Sequence, residues 1–435
     1  MEFRGQTEVW KTIFQNSGWL LFDKLLRLFI GLTISAWIAR DLGPDQFGNL
    51  AYIIAIIAIF QSVTTLGLDN ILVRDMARNH NGSGQLLATV TLLRFITGLV
   101  SWIIILTLMI LINGFQSVPV PLTFLVGGVL VFQAGDTVDL WFQSQSRNKL
   151  TVLVRLIAYL IANTTKVLLL ISHKSLYYFA AVVSLEGFIS CVGFFIIYRR
   201  HPCPDSWSVS LTITRRLLKE GFPYALSSIA ILIYMRIDQI MIKEILGEQE
   251  LGIYAALLPI ATVWQFIPMM LMTVLAPFIS RAKTSGDIVY WEMLRKIFRV
   301  YALLGWGASI LALVIASNFV SILYGDSYKD GVPTLIVYSF TNIIINMGVA
   351  QNLWIFNEKK SKIHLYKTCI GLLICIVGNY ILLPLLGIIG AAITALITQF
   401  ISAILSNFIY SRKILKLQIN SSSLFWVYGL IFNKK

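Results

Sequence analysis

An all-α integral membrane protein, with twelve membrane-crossing helices in two parallel six-helix repeats, is the architecture this sequence predicts. Three observations carry that reading: an apolar composition, twelve apolar runs of spanning length, and a short motif that returns at the matching place in the second half. Of 435 residues, 57% are hydrophobic and 13% charged, whereas soluble globular chains run at about 45–50% and about 25%. The formal net charge of +14 resembles a nucleic-acid signature until the charges are mapped. Most fall in short gaps between apolar runs, where they set membrane orientation, so no nucleic-acid partner is expected.

A helix needs roughly 20 apolar residues to cross a bilayer. The predicted spans, taken in order, are roughly 17–39, 47–70, 86–112, 120–143, 150–171 and 176–198 in the first half. In the second half they are roughly 217–242, 252–280, 297–317, 331–356, 363–384 and 388–411. Helices are required because backbone groups in lipid must bond within the segment or close into a barrel. The runs lack the ten-residue alternation of barrel strands. The first run is too long for a signal peptide and carries Asp23, Lys24 and Arg27, so no cleaved leader is expected. Span eight holds Pro259, Pro268 and Pro277, each able to free a carbonyl and bend the helix, either as a hinge or as a fixed curve. A closing stretch, 423–428, is too short to span and reads as a surface segment or a frayed tail.

Lysine and arginine in the connections set the orientation. Alternate connections, with both termini, hold 24 of them against 4 on the other side. Both termini are therefore expected in the cytoplasm, and a miscounted helix would have scrambled the alternation. The repeat is local but well placed. Leu42-Gly43-Pro44-Asp45-Gln46-Phe47-Gly48 returns as Leu246-Gly247-Glu248-Gln249-Glu250-Leu251-Gly252, with Gly43 and Gly48 displaced by 204 residues to Gly247 and Gly252. Each copy joins the first and second helix of a half; glycine frees the backbone and the acids suit the start of the next helix. Six helices per half give both repeats the same orientation, and transporters commonly bind at such an interface. The expected division is a first lobe at 1–205, a second at 206–415 and a cytoplasmic tail at 416–435.

Six cations lie inside apolar runs in the first 240 residues: Lys24, Arg27, Arg94, Arg155, Lys166 and Arg236. At roughly 2.5–3.5 kcal/mol each at a helix centre, six would cost about 15–21 kcal/mol. An intramembrane charge is by default a functional hypothesis. Five embedded carboxylates, Asp23, Asp136, Asp139, Glu186 and Asp238, offer either pairing or ion coupling. Asp23 and Arg27 have the spacing of a helical ion pair, Lys24 and Arg27 share a face, and so do Arg155 and Lys166 with Tyr159 between them. Lys24, Arg155 and Lys166 lie near enough to an interface to snorkel. Arg27 and Arg94 do not, and rank first as contacts for an anionic substrate. The second half carries amides instead, at Gln265, Asn342, Asn346, Gln351, Asn352 and Asn379; these suit sugar hydroxyls, but also serve as glue between helices.

Signals for catalysis, cofactors or metals are thin. There is no G-x-x-x-x-G-K-[ST] loop, the four histidines are scattered, and the four cysteines form no C-x-x-C pair, so no metal or disulfide framework is expected.

Several stretches together resemble one family. They are Ala39-Arg40-Asp41-Leu42-Gly43-Pro44-Asp45-Gln46-Phe47-Gly48, Gly67-Leu68-Asp69-Asn70-Ile71-Leu72-Val73-Arg74, Arg236-Ile237-Asp238-Gln239-Ile240-Met241 with Gly252-Ile253-Tyr254, and Pro384-Leu385-Leu386-Gly387-Ile388-Ile389-Gly390-Ala391-Ala392. In this order the chain resembles the Wzx-type O-antigen flippases of the polysaccharide transporter family, in the MOP superfamily with MurJ and the MATE exporters. The resemblance implies a MOP-type fold in a bacterial inner membrane. It also implies a cargo of undecaprenyl diphosphate bearing an oligosaccharide repeat unit, as in lipopolysaccharide biosynthesis. Two lobes would rock by alternating access, with possible partners among other glycan-assembly membrane proteins and possible coupling to a proton or sodium gradient. A MATE-like small-molecule exporter would instead show an acidic, cation-binding lobe. A membrane-embedded glycan polymerase or ligase would bring a large periplasmic loop, and the connections here are short.

Overall fold

The structure, a computed structural model, describes residues 26–78, 82–203, 205–358, 360, 363 and 366–423, and beyond these only the helical backbone of 2–25, 361–362 and 364–365. The side chains of Asp23 and Lys24 and the stretch from 424 onward lie outside the described residues. Among the described residues there is helix and no strand. Eleven helices are long and apolar enough to cross a membrane. The first of these is two helices in one, because Glu2–Thr64 is broken at Gly43. That division gives twelve crossings.

In chain order they are α1 (2–42), α2 (44–64, resumed after a turn as Asp69–Arg78), α3 (Ser83–Asn113), α4 (Pro119–Ser144), α5 (Asn148–Ile171) and α6 (Leu176–Arg200). The second half follows with α7 (Leu211–Leu246), α8 (Glu248–Thr284), α9 (Asp287–Leu323), α10 (Asp326–Asn357), α11 (Ser361–Leu386) and α12 (Ile388–Tyr410). A short helix, α13 (Arg412–Ser422), closes the described chain. Several helices run past their predicted apolar cores. α9 has 37 residues, or about 55 Å at 1.5 Å per residue, against a hydrocarbon core of about 30 Å.

The repeat is visible in the backbone. Gly43 (φ 75°, ψ 168°) and Gly247 (φ 99°, ψ 177°) adopt nearly the same conformation, one open essentially to glycine alone. Each is followed by an acidic first turn, with Asp45 after Gly43 and Glu248 and Glu250 after Gly247. The second glycine of each motif has another task. A β-carbon on Gly48 would strike the backbone of Glu248 and Gly252, and one on Gly252 would strike the backbone of Pro44. Pro44 and Glu248 are themselves 204 residues apart, so the contact is reciprocal about the axis relating the halves. A second shared feature is a break in the fourth helix of each half. α4 turns to a 3-10 helix at Gln133–Gly135, and α10 is interrupted at Phe340.

The corner end is stitched between halves by Tyr52 to Glu244 (2.7 Å), Tyr328 to the Ala39 carbonyl (2.6 Å) and Arg40 to the Ile322 carbonyl (3.2 Å). At the other end α7 begins against the first half. There Arg74 meets Glu220 at 2.6 Å and Arg216 meets Asp75 at 3.1 Å.

Candidate functional site

Two adjoining cavities occupy the seam between the halves. The larger, about 750 Å³, is walled by α1, α7, α8, α10, α11 and α12, with Arg27, Arg236, Asp238, Gln265, Asn379 and Gln399 among its polar lining. The smaller, about 270 Å³, reaches into the first half, where Tyr159, Asn163 and Lys166 of α5 meet Arg236 and Gln239 of α7. Gly31, Ser35, Arg236, Leu258 and Pro259 line both. Pro259 precedes a 3-10 turn at Val263–Gln265, so the bend in α8 lies in the cavity wall, where proline has removed a helix donor.

The fold divides the sequence-nominated residues into two groups. Arg27, Lys166 and Arg236 come together at the seam. The Arg27 guanidinium lies 5.0 Å from the centre of the Tyr159 ring, and the Tyr159 hydroxyl donates to the Arg27 carbonyl at 2.7 Å. Glu186, half-buried on α6, acts electrostatically on Lys166 without lining either cavity. Asp238 is the one carboxylate among the described lining residues, and it accepts from the Tyr254 hydroxyl at 2.6 Å and from the Gln239 backbone at 2.8 Å. Among the described lining residues, three cations and one engaged carboxylate thus face the seam.

Arg94 and Arg155 lie elsewhere. Arg94 is 1% exposed and paired with Asp69, whose carboxylate reaches solvent at the start of the resumed α2. Arg155 bridges Asp136 at 3.0 Å and Asp139 at 2.8 Å, and stacks over Phe194. These pairs lie within the first half and line neither seam cavity. Asp69 is the partner that sequence reading passed over, because it sits at the edge of a predicted span. Its signal was the Gly67-Leu68-Asp69 break before a new helix. The α5 stripe Tyr159, Asn163 and Lys166, at helical spacing, was equally legible. Tyr234, Tyr254, Tyr338 and Gln399 were not, since aromatic and amide residues in apolar helices give no signal of direction.

The second half also hides a cation. Lys367, near the start of the predicted span 363–384, is 9% exposed and bonds Gln351 at 2.7 Å and Asn407 at 3.2 Å. Gln351, Asn407 and Gln418 complete this amide cluster, and Asn407 and Gln418 both donate to the Ala403 carbonyl inside a π-helical turn of α12. The side-chain oxygens of Asn379 and Thr398, on the cavity wall with Asp238, have no hydrogen-bond partner within the protein. Among the described residues no group of three His, Cys, Asp or Glu is placed to hold a metal.

The family model for polysaccharide biosynthesis proteins matches residues 13–283, well over half of the chain. The chain belongs to the polysaccharide biosynthesis protein family. Among its relatives, a capsular polysaccharide biosynthesis protein, CapF of Staphylococcus aureus, is 26% identical over 52% of this chain and 58% of its own length. A putative O-antigen transporter of Escherichia coli strain K12 is 27% identical over 48% of this chain and 51% of its own. These matches span little more than half the length of either relative. In fold, this family member superposes on an inward-facing multidrug-resistance MATE transporter of the MOP superfamily (TM-score 0.72, 14% identity, 91% of this chain and 96% of that one). It also superposes on the lipid II flippase MurJ in an inward closed conformation (TM-score 0.68, 14% identity, 94% and 92%). At such identity the likeness bears on fold alone: a member of the polysaccharide biosynthesis protein family here has a MOP-type fold.

Proposed function

We propose that this chain flips undecaprenyl-diphosphate-linked oligosaccharide, an O-antigen-type repeat unit, from the cytoplasmic to the periplasmic leaflet by alternating access of its two halves. The observation that carries the reading is the set of cations on the seam cavities, Arg27, Lys166 and Arg236, with Asp238 the one carboxylate among the described lining residues. A diphosphate needs cations, and arginine can hold it through two parallel hydrogen bonds. Tyrosine and amide side chains around it suit sugar hydroxyls. The acyl tail stays in lipid, and only headgroup and sugar enter. Names given to the capsular and O-antigen relatives support the same class of cargo.

The lysine and arginine bias supports a topology with both termini cytoplasmic, and the names of the bacterial relatives support a bacterial inner membrane as its place. Asp238, with Asn379 and Thr398 beside it on the cavity wall, is the position we assign to coupling with a proton or sodium gradient. A cationic cavity favours this reading over a MATE-like exporter of small cations, and the chain acts as a transporter rather than an enzyme.

The test is complementation of a deletion strain that lacks any redundant flippase. The variants are Arg27→Ala, Lys166→Ala and Arg236→Ala at matched membrane levels, and the readout is the rate at which surface glycan reappears after induction. Loss of a charge-assisted contact, about 1.5–3 kcal/mol, should slow reappearance roughly tenfold to a hundredfold. Glycan that persists in the deletion strain rejects the flippase reading. Full rates in all three variants reject the cationic cavity and leave the fold standing. Asp238→Asn tests the coupling arm: transport that stays sensitive to collapse of the gradients removes Asp238 from that role.

A further inference from the structure

α13 lies across the start of α9, and between them is a cavity of about 720 Å³ that transport does not use. Trp291, Arg295 and Arg299 of α9 form one wall; Lys413, Lys416 and Asn420 of α13 form much of the other. The spacings, four and four on α9, three and four on α13, put each set on a single helix face. Four cations line the pocket, and no carboxylate is among its described lining residues.

The pocket is built rather than incidental. Ile414 and Gln418 are fully buried on the inner face of α13. Gln418 donates to the Ala403 carbonyl at 3.1 Å and accepts from Asn407 at 2.8 Å. The Trp306 indole donates to the Ser422 carbonyl at 2.8 Å, and the Lys413 ammonium sits 3.6 Å from the centre of the Trp291 ring. A surface helix held by this much buried hydrogen bonding presents its cations in fixed positions. Depth is set by α9, whose 37 residues overrun the hydrocarbon core, so that its first turns reach the headgroup layer. Ile419, one turn on from Lys416 in α13, and Ile409, at the end of α12 that leads into α13, are exposed, the pattern of a helix seated on a membrane surface.

We infer that this pocket binds the phosphate of an anionic phospholipid headgroup in the leaflet that α13 faces. Two guanidinium and two ammonium groups from facing helices supply the charge that phosphate oxygens accept, and basic pockets between membrane helices take such headgroups. Free phosphate shares this chemistry; the exposed apolar rim and the interfacial depth favour the lipid.

The test uses the full-length protein purified in neutral detergent, with retained lipid read by native mass spectrometry. Phosphatidylglycerol should be retained over phosphatidylcholine, and retention should fall with salt. Arg295→Gln with Arg299→Gln should weaken phosphatidylglycerol binding roughly tenfold or more, at about 1 kcal/mol per lost cation. Lys296→Gln with Arg412→Gln removes the same amount of charge outside the pocket, one residue from each of its two helices, and should change it little. Equal loss in both pairs would show diffuse surface attraction and overturn the site. So would equal retention of the two lipids by the wild type, a readout that needs no variant. Displacement by millimolar inorganic phosphate without lipid retention would overturn the lipid as occupant.

Discussion

Arg94 and Arg236 interrupt equally apolar runs, yet the fold gives them different tasks. Arg94 is enclosed within the first half, and its charge is answered by Asp69; Arg236 faces both seam cavities. Removing Arg94 therefore bears on folding. Because the Asp69 carboxylate is 53% exposed, water takes over part of its solvation when the arginine is lost. Arg94→Ala should then cost about 1–3 kcal/mol, below the 3–5 kcal/mol of a fully buried pair. The expected outcome is a lowered melting temperature in detergent, largely recovered by adding Asp69→Asn, with the transport rate per folded molecule unchanged. A transport defect at normal stability would return Arg94 to the cargo path. Lys367 teaches the same lesson from the other side: a lysine near a predicted helix end proves to be buried among amides, because neighbouring helices, not sequence position, decide what surrounds a side chain.

At the scale of elements, the interhelical corners are the clearest case of local sequence dictating local structure. Gly43 and Gly247 hold the same glycine-only conformation at matching positions. Gly247→Ala should therefore cost about 1–3 kcal/mol. Gly307 provides the contrast. It lies inside α9, where an added β-carbon meets nothing within 4 Å, so Gly307→Ala should be neutral or stabilising by up to about 1 kcal/mol. Thermal unfolding of both variants, followed by near-ultraviolet circular dichroism, checks the pair; equal effects would refute the backbone argument. Gly48 and Gly252 look identical to these corner glycines in the motif, but they serve close approach between helices of opposite halves. Motif spacing alone does not separate the two uses, since each asks only for the absence of a β-carbon.

For the whole molecule, the corner end is closed by contacts between halves, among them the Tyr52 hydroxyl on Glu244. The alternating access proposed above would require these contacts to break. Tyr52→Phe removes one hydrogen bond to a charged acceptor, worth about 1.5–3 kcal/mol, enough to shift a two-state balance roughly tenfold or more. Ser35 lines both cavities and serves as the reporter. In a chain with Ser35→Cys and the four native cysteines replaced by serine, an impermeant maleimide applied from the corner side should label faster when Tyr52→Phe is added. An unchanged rate would mean that this bond does not hold the corner closed.

Composition, run length and the repeated glycine motif were enough to establish a twelve-helix membrane protein in two parallel halves. Each of those properties is imposed locally, by the length of apolar helix that lipid demands and by the backbone that a tight corner requires. Charge assignment was different. Read along the chain, six embedded cations and five carboxylates nearly cancel, and they describe a mixed-charge first half. Only the tertiary structure sorted those among the described residues. It folded Asp69, Asp136 and Asp139 onto Arg94 and Arg155 inside the first half, and left Arg27, Lys166 and Arg236 at the seam with Asp238. The physical reason is that pairing depends on which helices lie side by side, and in a chain whose helices are all similarly apolar, no local pattern encodes that neighbourhood.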